Sequence, residues 1–355
     1  MDNKLLDLYS DYLISSFSYT TATGLSELTE GTVSHDKVTR FLAKREYTSK
    51  DLWMKVKPIV RKIETENGIL IVDDTVEEKL YTDENDIIAY HFDHTKGRSV
   101  KGINMISLLY HANIMTIPLS FEVIKKTEIV KDKKTGRDKR KSLITKNKIA
   151  RTMVQKVRQN QVKYQYILAD TFFSSKENMI FVKQEMRKDF IFAVKTNRLV
   201  SLSVSDKQAG KYKRVEEVML KEDTSCLVFM KGLLFPLLLT KQVFINKDGS
   251  EGILYLACSD RTLNYQQITS LYQKRWSIEE YHKSIKSNTA FSKSPTKTVV
   301  TQSNHFFASI YAFFKLEILK MKTHVNHFAL KAKLYMNALK SSYELLRKMN
   351  HLCVR

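Results

Sequence analysis

Three acidic side chains, Asp73, Asp170 and Glu279, stand where metal chemistry would put them. Asp73 closes the apolar run Ile69-Leu70-Ile71-Val72, and Asp170 closes Tyr166-Ile167-Leu168-Ala169. A carboxylate at the end of a buried strand loses solvation, which costs several kcal/mol unless a cation compensates. Two such groups side by side repel each other. A hard divalent ion such as Mg²⁺, which takes oxygen ligands and commonly only one or two carboxylates, removes that repulsion. For either Asp alone, a strand-end turn or a helix N-cap is the plainer reading. The third carboxylate changes the balance. In Leu271–Lys286, LYQKRWSIEEYHKSIK, the residues Tyr272, Arg275, Glu279 and Lys286 follow at offsets of three, four and seven. At about 100° per residue they fall within roughly 60° of arc on one helix face. That stripe carries a phenol, a guanidinium, a carboxylate and an ammonium, where an ordinary amphipathic helix carries aliphatic groups. A solvated face with charge pairing at i,i+4 is the alternative.

The elements that must position these groups are legible as a change of pattern near Gly68. Residues 1–66 read as helical, with apolar periodicity over Lys4–Ser15 and Lys37–Arg45, a short segment Thr23–Glu30 between them, and Ser34 as an N-cap. Three short helices with a polar turn before the last resemble a helix-turn-helix, a DNA-binding arrangement; a plain packing domain is the other reading. From Gly68 a buried strand is expected, then a hairpin of 103–111 and 114–124 turning at Ala112-Asn113. A basic stretch, Lys125–Lys148, follows with eleven Lys or Arg against three acids. Next come a helix over Lys148–Gln161, a strand ending at Asp170, a helix over Lys176–Arg187 and a strand over 189–196. Residues 197–262 read as mainly β with turns at Asn246–Gly249 and Ser250–Gly252. One long amphipathic helix is expected over Gln266–Ser287, and the rest as helical. This order matches an α/β ribonuclease-H-like mixed sheet, in which the first and fourth strands lie parallel and adjacent. Acids at their carboxyl ends then meet at the crevice where open α/β sheets place their sites. The expected divisions are 1–66, a catalytic core over 67–196 and 263–290, a β-rich insertion over 197–262, and a C-terminal helical region over 291–355.

The spacing Tyr-x2-Arg-x3-Glu-x6-Lys resembles the YREK signature of bacterial DDE insertion-sequence transposases, with Tyr272, Arg275, Glu279 and Lys286 fitting it residue for residue. Val72-Asp73-Asp74-Thr75 is similar to the family's first Asp motif, and Leu168–Phe173 to its second. The resemblance spans about residues 68–290. Aligned on Asp-x-Thr it makes Asp73 the ligand; aligned on Asp-Thr it makes it Asp74. Strand alternation sends the two to opposite faces, so only one serves; Asp73 is preferred. The resemblance implies two Mg²⁺ ions, replaceable by Mn²⁺, held by Asp73, Asp170 and Glu279. It implies phosphate contacts from Tyr272, Arg275 and Lys286, cleavage of transposon ends in double-stranded DNA, joining to target DNA, and a dimer on DNA.

Composition agrees with a polyanionic partner. Fifty-nine Lys and Arg against 38 acids give a formal charge of +21, which raises affinity for a phosphate backbone through counterion release. The Lys125–Lys148 stretch reads as a phosphate track or as a charged loop. No apolar run approaches the roughly 18 residues of a membrane helix, and MDNKLLDLYSDYL lacks the basic start of a secretion signal. A soluble bacterial protein of the cytoplasm, at the nucleoid, is expected. Cys226, Cys258 and Cys353 suggest neither a disulfide framework nor a zinc site. His91, Asp93 and His94 read as a surface turn, Trp276 and Tyr281 as helix packing. Two other functions stay open: an inactive or truncated copy that only binds DNA, and another ribonuclease-H-like nuclease.

Overall fold

The computed structural model describes residues 2–93, 96–132, 136, 138–221, 223–245 and 248–352. Four helices come first, α1 (Asn3–Ser15), α2 (Ala22–Leu28), α3 (His35–Ala43) and α4 (Ser49–Ile63). Three of them start on the residue types that satisfy orphan amide groups. The side chains of Asp2, Thr21 and Ser34 accept from the amides of Leu5, Gly24 and Lys37 respectively.

The strands then build one large mixed sheet, confirming the ribonuclease-H-like α/β class. Strands β1 (Ile69–Glu78), β2 (Ile88–Asp93), β3 (Arg98–Ala112) and β4 (Met115–Val123) are followed by a small basic hairpin of β5 (Glu128–Lys131) and β6 (Asp138–Lys141). Helix α5 (Lys146–Gln159) leads to β7 (Tyr166–Ala169), then α6 (Lys176–Ile180) and β8 (Asp189–Val194). Next come β9 (Leu199–Ser201), α7 (Val204–Gln208), β10 (Lys213–Arg214), β11 (Ser225–Met230), β12 (Leu237–Ile245) and β13 (Glu251–Cys258). The order across the sheet is β10-β9-β11-β12-β13-β8-β7-β1-β3-β2, with β4 pairing β3. The hairpin β3–β4 turns at Asn113, whose φ of 55° an asparagine tolerates better than most residues. The β-rich stretch after β8 joins the same sheet through β13, antiparallel to β8.

The pairing that matters most for chemistry is parallel β1 against β7, with Ile69, Leu70, Ile71 and Val72 opposite Tyr166, Ile167, Leu168 and Ala169. All eight are buried or nearly so, which is why both strands are continuous apolar runs. The register puts the next residues, Asp73 and Asp170, side by side. Asp170 follows the last residue of β7, but the expected strand end at Asp73 is not found, because β1 runs on past it to Glu78.

The last helices are α8 (Tyr265–Gln273), α9 (Trp276–Asn288), α10 (Val299–Thr323) and α11 (His327–Leu352). Four further expectations need correction. The single helix over Gln266–Ser287 is two helices. The amides of Lys274, Arg275, Ser277 and Ile278 bond three residues back instead of four, a tighter turn that interrupts the α-helix. The helix expected over Lys176–Arg187 is α6 followed by a π-helical turn, Phe181–Glu185. Trp276 is exposed, whereas Tyr281 is fully buried. The apolar stripe of α9 is Ile278, Tyr281 and Ile285, and Trp276 stands about 200° round the helix from Ile278. His91 and Asp93 lie on β2 instead of a turn, with His91 buried; His94 falls outside the described residues. So do Cys353 and two residues of the expected 246–249 turn. Cys226 and Cys258 are free thiols. No described helix is long and apolar enough to cross a membrane.

The chain divides into two compact units. One comprises Lys57–Thr75 and Asn104–Glu279, the other Met1–Val56, Val76–Ile103 and Glu280–Arg355. In the second unit the core forms around α10, where Phe306, Phe307, Ile310, Phe313 and Phe314 are buried together with Leu6, Leu13, Val38 and Phe41 of α1 and α3. A buried histidine sits in this core. His305 accepts from the Tyr9 hydroxyl at Nδ1, 3.0 Å away, and donates from Nε2 to the Ala290 carbonyl at 2.9 Å. Burial lowers its pKa from 6.5 to about 4. Above pH 6.5 the ring is neutral folded or unfolded. Below that, the unfolded chain takes up a proton that the folded protein refuses until about pH 4. Acidification through that window should therefore cost about 3 kcal/mol of stability. Chemical denaturation from pH 7 to pH 4 should show the loss, and His305→Gln should flatten it; an unchanged pH slope in that variant would exclude His305 as the cause.

Candidate active site

All of the candidate carboxylates, together with Tyr272 and Arg275, fall within the unit formed by Lys57–Thr75 and Asn104–Glu279. Asp73 is only 14% exposed at its side chain. Its pKa is raised well above the usual carboxylate value, first by burial and then by the charges of Asp170 and Asp74. Burial raises Asp170 as well, opposed by the amides of Phe173 and Phe172, which donate to its Oδ1 at 3.2 and 3.0 Å. Those two bonds close a turn that fixes the Asp170 carboxylate beside β1. The charged forms of this pair are thus disfavoured where they stand, as expected of groups that await a cation.

Arg275 supplies positive charge. Its Nη1 lies 3.4 Å from Asp73 Oδ2 and 3.3 Å from Glu279 Oε1, and Nη2 lies 3.3 Å from the same Glu279 oxygen. Burial works against its charge, but Tyr272, Asp73 and Glu279 raise its pKa. One guanidinium therefore ties the β1 carboxylate to the α9 carboxylate, and Glu279 remains 41% exposed. Tyr272 is buried, and its hydroxyl donates to the Ala169 carbonyl at 3.3 Å, one residue before Asp170. Burial pushes that phenol up, out of reach of ordinary titration. Lys286 belongs to the other unit, where Nζ donates to the Val76 carbonyl at 2.9 Å.

Asp74 points elsewhere. Its Oδ2 accepts from Asn104 at 2.5 Å and from Lys146 at 2.7 Å, both partly buried contacts. Sequence reading missed these two partners. Lys146 lies in the basic stretch, but nothing there singles it out, and Asn104 sits inside an apolar strand. A single fixed ammonium already balances Asp74, whereas Asp73 shares a guanidinium with Glu279.

The fit of this site to a divalent ion can be tested on the donor set. Asp73, Asp170 and Glu279 offer only hard oxygens, the kind that suits Mg²⁺, and burial with mutual repulsion leaves the two aspartates short of positive charge. They fit. As the side chains stand, no group of three His, Cys, Asp or Glu among the described residues is close enough to clasp an ion. Arg275 occupies Glu279 Oε1.

The sequence model of the DDE superfamily endonucleases matches residues 3–216, more than half of the chain. The chain belongs to that superfamily. A second DDE model, the transposase DDE domain, matches residues 141–314. Between them the DDE matches take in Asp73, Asp74, Asp170, Tyr272, Arg275, Glu279 and Lys286. A probable transposase for insertion sequence element IS701 from Microchaete diplosiphon is 27% identical over 150 residues, which are 42% of this chain and 37% of that protein. The match thus spans well under half of that relative's length.

Proposed function

We propose that this chain is the DNA transposase of an insertion sequence, cutting transposon ends and joining them to target DNA. The observation that carries the reading is the parallel register of β1 and β7, which sets Asp73 beside Asp170, with Glu279 tied to Asp73 through one guanidinium. Asp73, Asp170 and Glu279 would hold two divalent ions, Mg²⁺ or Mn²⁺ in its place, and these would supply Lewis-acid stabilisation of charge on the attacking and leaving oxygens. Asp73 and Asp170 form the rigid half of the site, because each directly follows a buried stretch of strand, Ile69–Val72 of β1 and Tyr166–Ala169 of β7. Glu279, on a helix and half exposed, is the adjustable half. Tyr272 braces the backbone before Asp170, and it joins Arg275 in positioning phosphates beside the scissile bond without reading sequence; Lys286 is a further phosphate contact.

The divisions at 66, 196, 262 and 290 are kept as functional regions, with the helical region 1–66 taken to bind DNA. Helix α3 buries Val38, Phe41 and Leu42 and exposes Lys37, Arg40 and Lys44. Those cations and Arg45 rim a cleft of about 440 Å³ that would accept a phosphate backbone. The hairpin β5–β6 lies within Lys125–Lys148 and forms part of its phosphate track. Two transposon ends must be brought together, so a dimer on double-stranded DNA is the working assembly.

Incubating the purified protein with Mg²⁺ and DNA that carries the termini of its own element tests this. Breaks with 3′-hydroxyl groups mapped to the termini are expected. Binding without any break would favour a copy that only occupies DNA, and scattered cutting of RNA–DNA hybrids would favour a different ribonuclease-H-like nuclease.

A further inference from the structure

We propose that Arg275 is an internal counter-cation that competes with divalent metal for Asp73 and Glu279, and that DNA relieves the competition by drawing the guanidinium onto a phosphate. This rests on the function proposed above and adds an order of events to it. The observation is the bridge. Arg275 is within 3.4 Å of a carboxylate oxygen on both Asp73 and Glu279, and its side chain is only 17% exposed. A metal ion that takes oxygens from both residues would lie between the two carboxylates that Arg275 now bridges through one oxygen of each. It also cannot settle beside a fixed guanidinium without strong repulsion in a partly buried site. Arg275 must therefore swing away, and a planar fork with five donors is not left unpaired at low cost. A phosphate offers it a bidentate partner of equal quality.

The consequence is thermodynamic. If DNA takes the guanidinium, DNA binding raises metal affinity, and metal raises DNA affinity by the same factor. The enzyme would then load metal poorly until its substrate is in place. Asp74 shows the contrast. Its cation, Lys146, is a compact ammonium that makes one contact of 2.7 Å with it and is backed by Asn104. Among the described residues Lys146 makes no ion pair with a second carboxylate, so no comparable exchange is expected there.

The test measures Mn²⁺ binding by electron paramagnetic resonance of the free ion, on the full chain, with and without a short duplex of generic sequence that lacks element termini. Wild type is expected to bind Mn²⁺ about tenfold more tightly when the duplex is present, within the usual range of such couplings. Arg275→Gln should bind Mn²⁺ about tenfold more tightly than wild type without DNA, and the duplex should add little. Arg275→Lys keeps the charge but not the fork. It cannot hold both carboxylates, so it should fall between the two, and it answers the question if the glutamine variant does not fold. Equal Mn²⁺ affinity in wild type and both variants, or an undiminished effect of DNA in them, overturns the inference. Asp73→Asn separates this from the underlying reading. If Asp73→Asn loses Mn²⁺ while the Arg275 variants behave as wild type, the carboxylate site stands and only the competition fails. Full Mn²⁺ binding by Asp73→Asn removes both.

Discussion

Glu279→Gln is expected to lose DNA-end cleavage by a factor on the order of a thousand or more, with binding to the same ends unchanged. The two effects separate because of where Glu279 stands. Its side chain is 41% exposed on α9, and it contacts Arg275 through a single oxygen. A glutamine keeps the size and can still accept from Arg275. Stability should move by no more than about 0.5 kcal/mol, as for other exposed substitutions. What the amide lacks is the charge that makes a carboxylate a good partner for a hard divalent ion. Gel-shift and cleavage assays on one end-labelled duplex, with a melting curve of each protein, measure all three quantities together. Cleavage by Glu279→Gln within tenfold of wild type would remove Glu279 from the site.

A comparison of Asp73→Asn with Asp74→Asn should give a second large difference. Asp73→Asn should lose cleavage as severely as Glu279→Gln, since Asp73 is the β1 carboxylate that meets Asp170 and shares Arg275 with Glu279. Asp74→Asn should cut within about tenfold of wild type. It should instead lose about 1–3 kcal/mol of stability, because Lys146 then faces a neutral amide in a partly buried pocket. Parallel cleavage rates and denaturant midpoints for the two variants decide between the residues. Full activity in Asp73→Asn and none in Asp74→Asn would reverse the assignment, and with it the alignment on Asp-x-Thr.

The parts of this fold that sequence reading caught share a cause. Ile69–Val72 and Tyr166–Ala169 are apolar on both strand faces because parallel strands at the centre of a sheet meet packing on both sides. An acid that interrupts such a run is conspicuous. The hairpin at Asn113 was legible for a similar reason: two β-rich runs leave only one place to turn. The Ser34 cap was visible as a lone hydroxyl before a periodic stretch.

What stayed hidden depends on distance along the chain or on small departures from ideal geometry. Nothing between Gln273 and Trp276 breaks a helix by type, with no glycine or proline present. Perfect helical phasing therefore placed Tyr272, Arg275, Glu279 and Lys286 on one face of one helix. The tighter turn there divides them between α8, the turn itself and α9. Arg275 accordingly contacts Asp73, 202 residues earlier in the chain. The Lys146–Asp74 pair spans 72 residues, and neither partner has a local signature. Trp276 looked like packing because it is large and apolar; its phase relative to Ile278 pointed outward, and that was the better guide.

Crystals of the protein bound to an uncleavable transposon-end duplex, grown with Mn²⁺, would test the central claim most directly. Anomalous difference maps should place the metal within about 2.0–2.2 Å of oxygens from Asp73, Asp170 and Glu279, with Arg275 turned from Glu279 onto a phosphate. Metal held by Asp74 instead of Asp73, or bound out of reach of Glu279, would contradict the account.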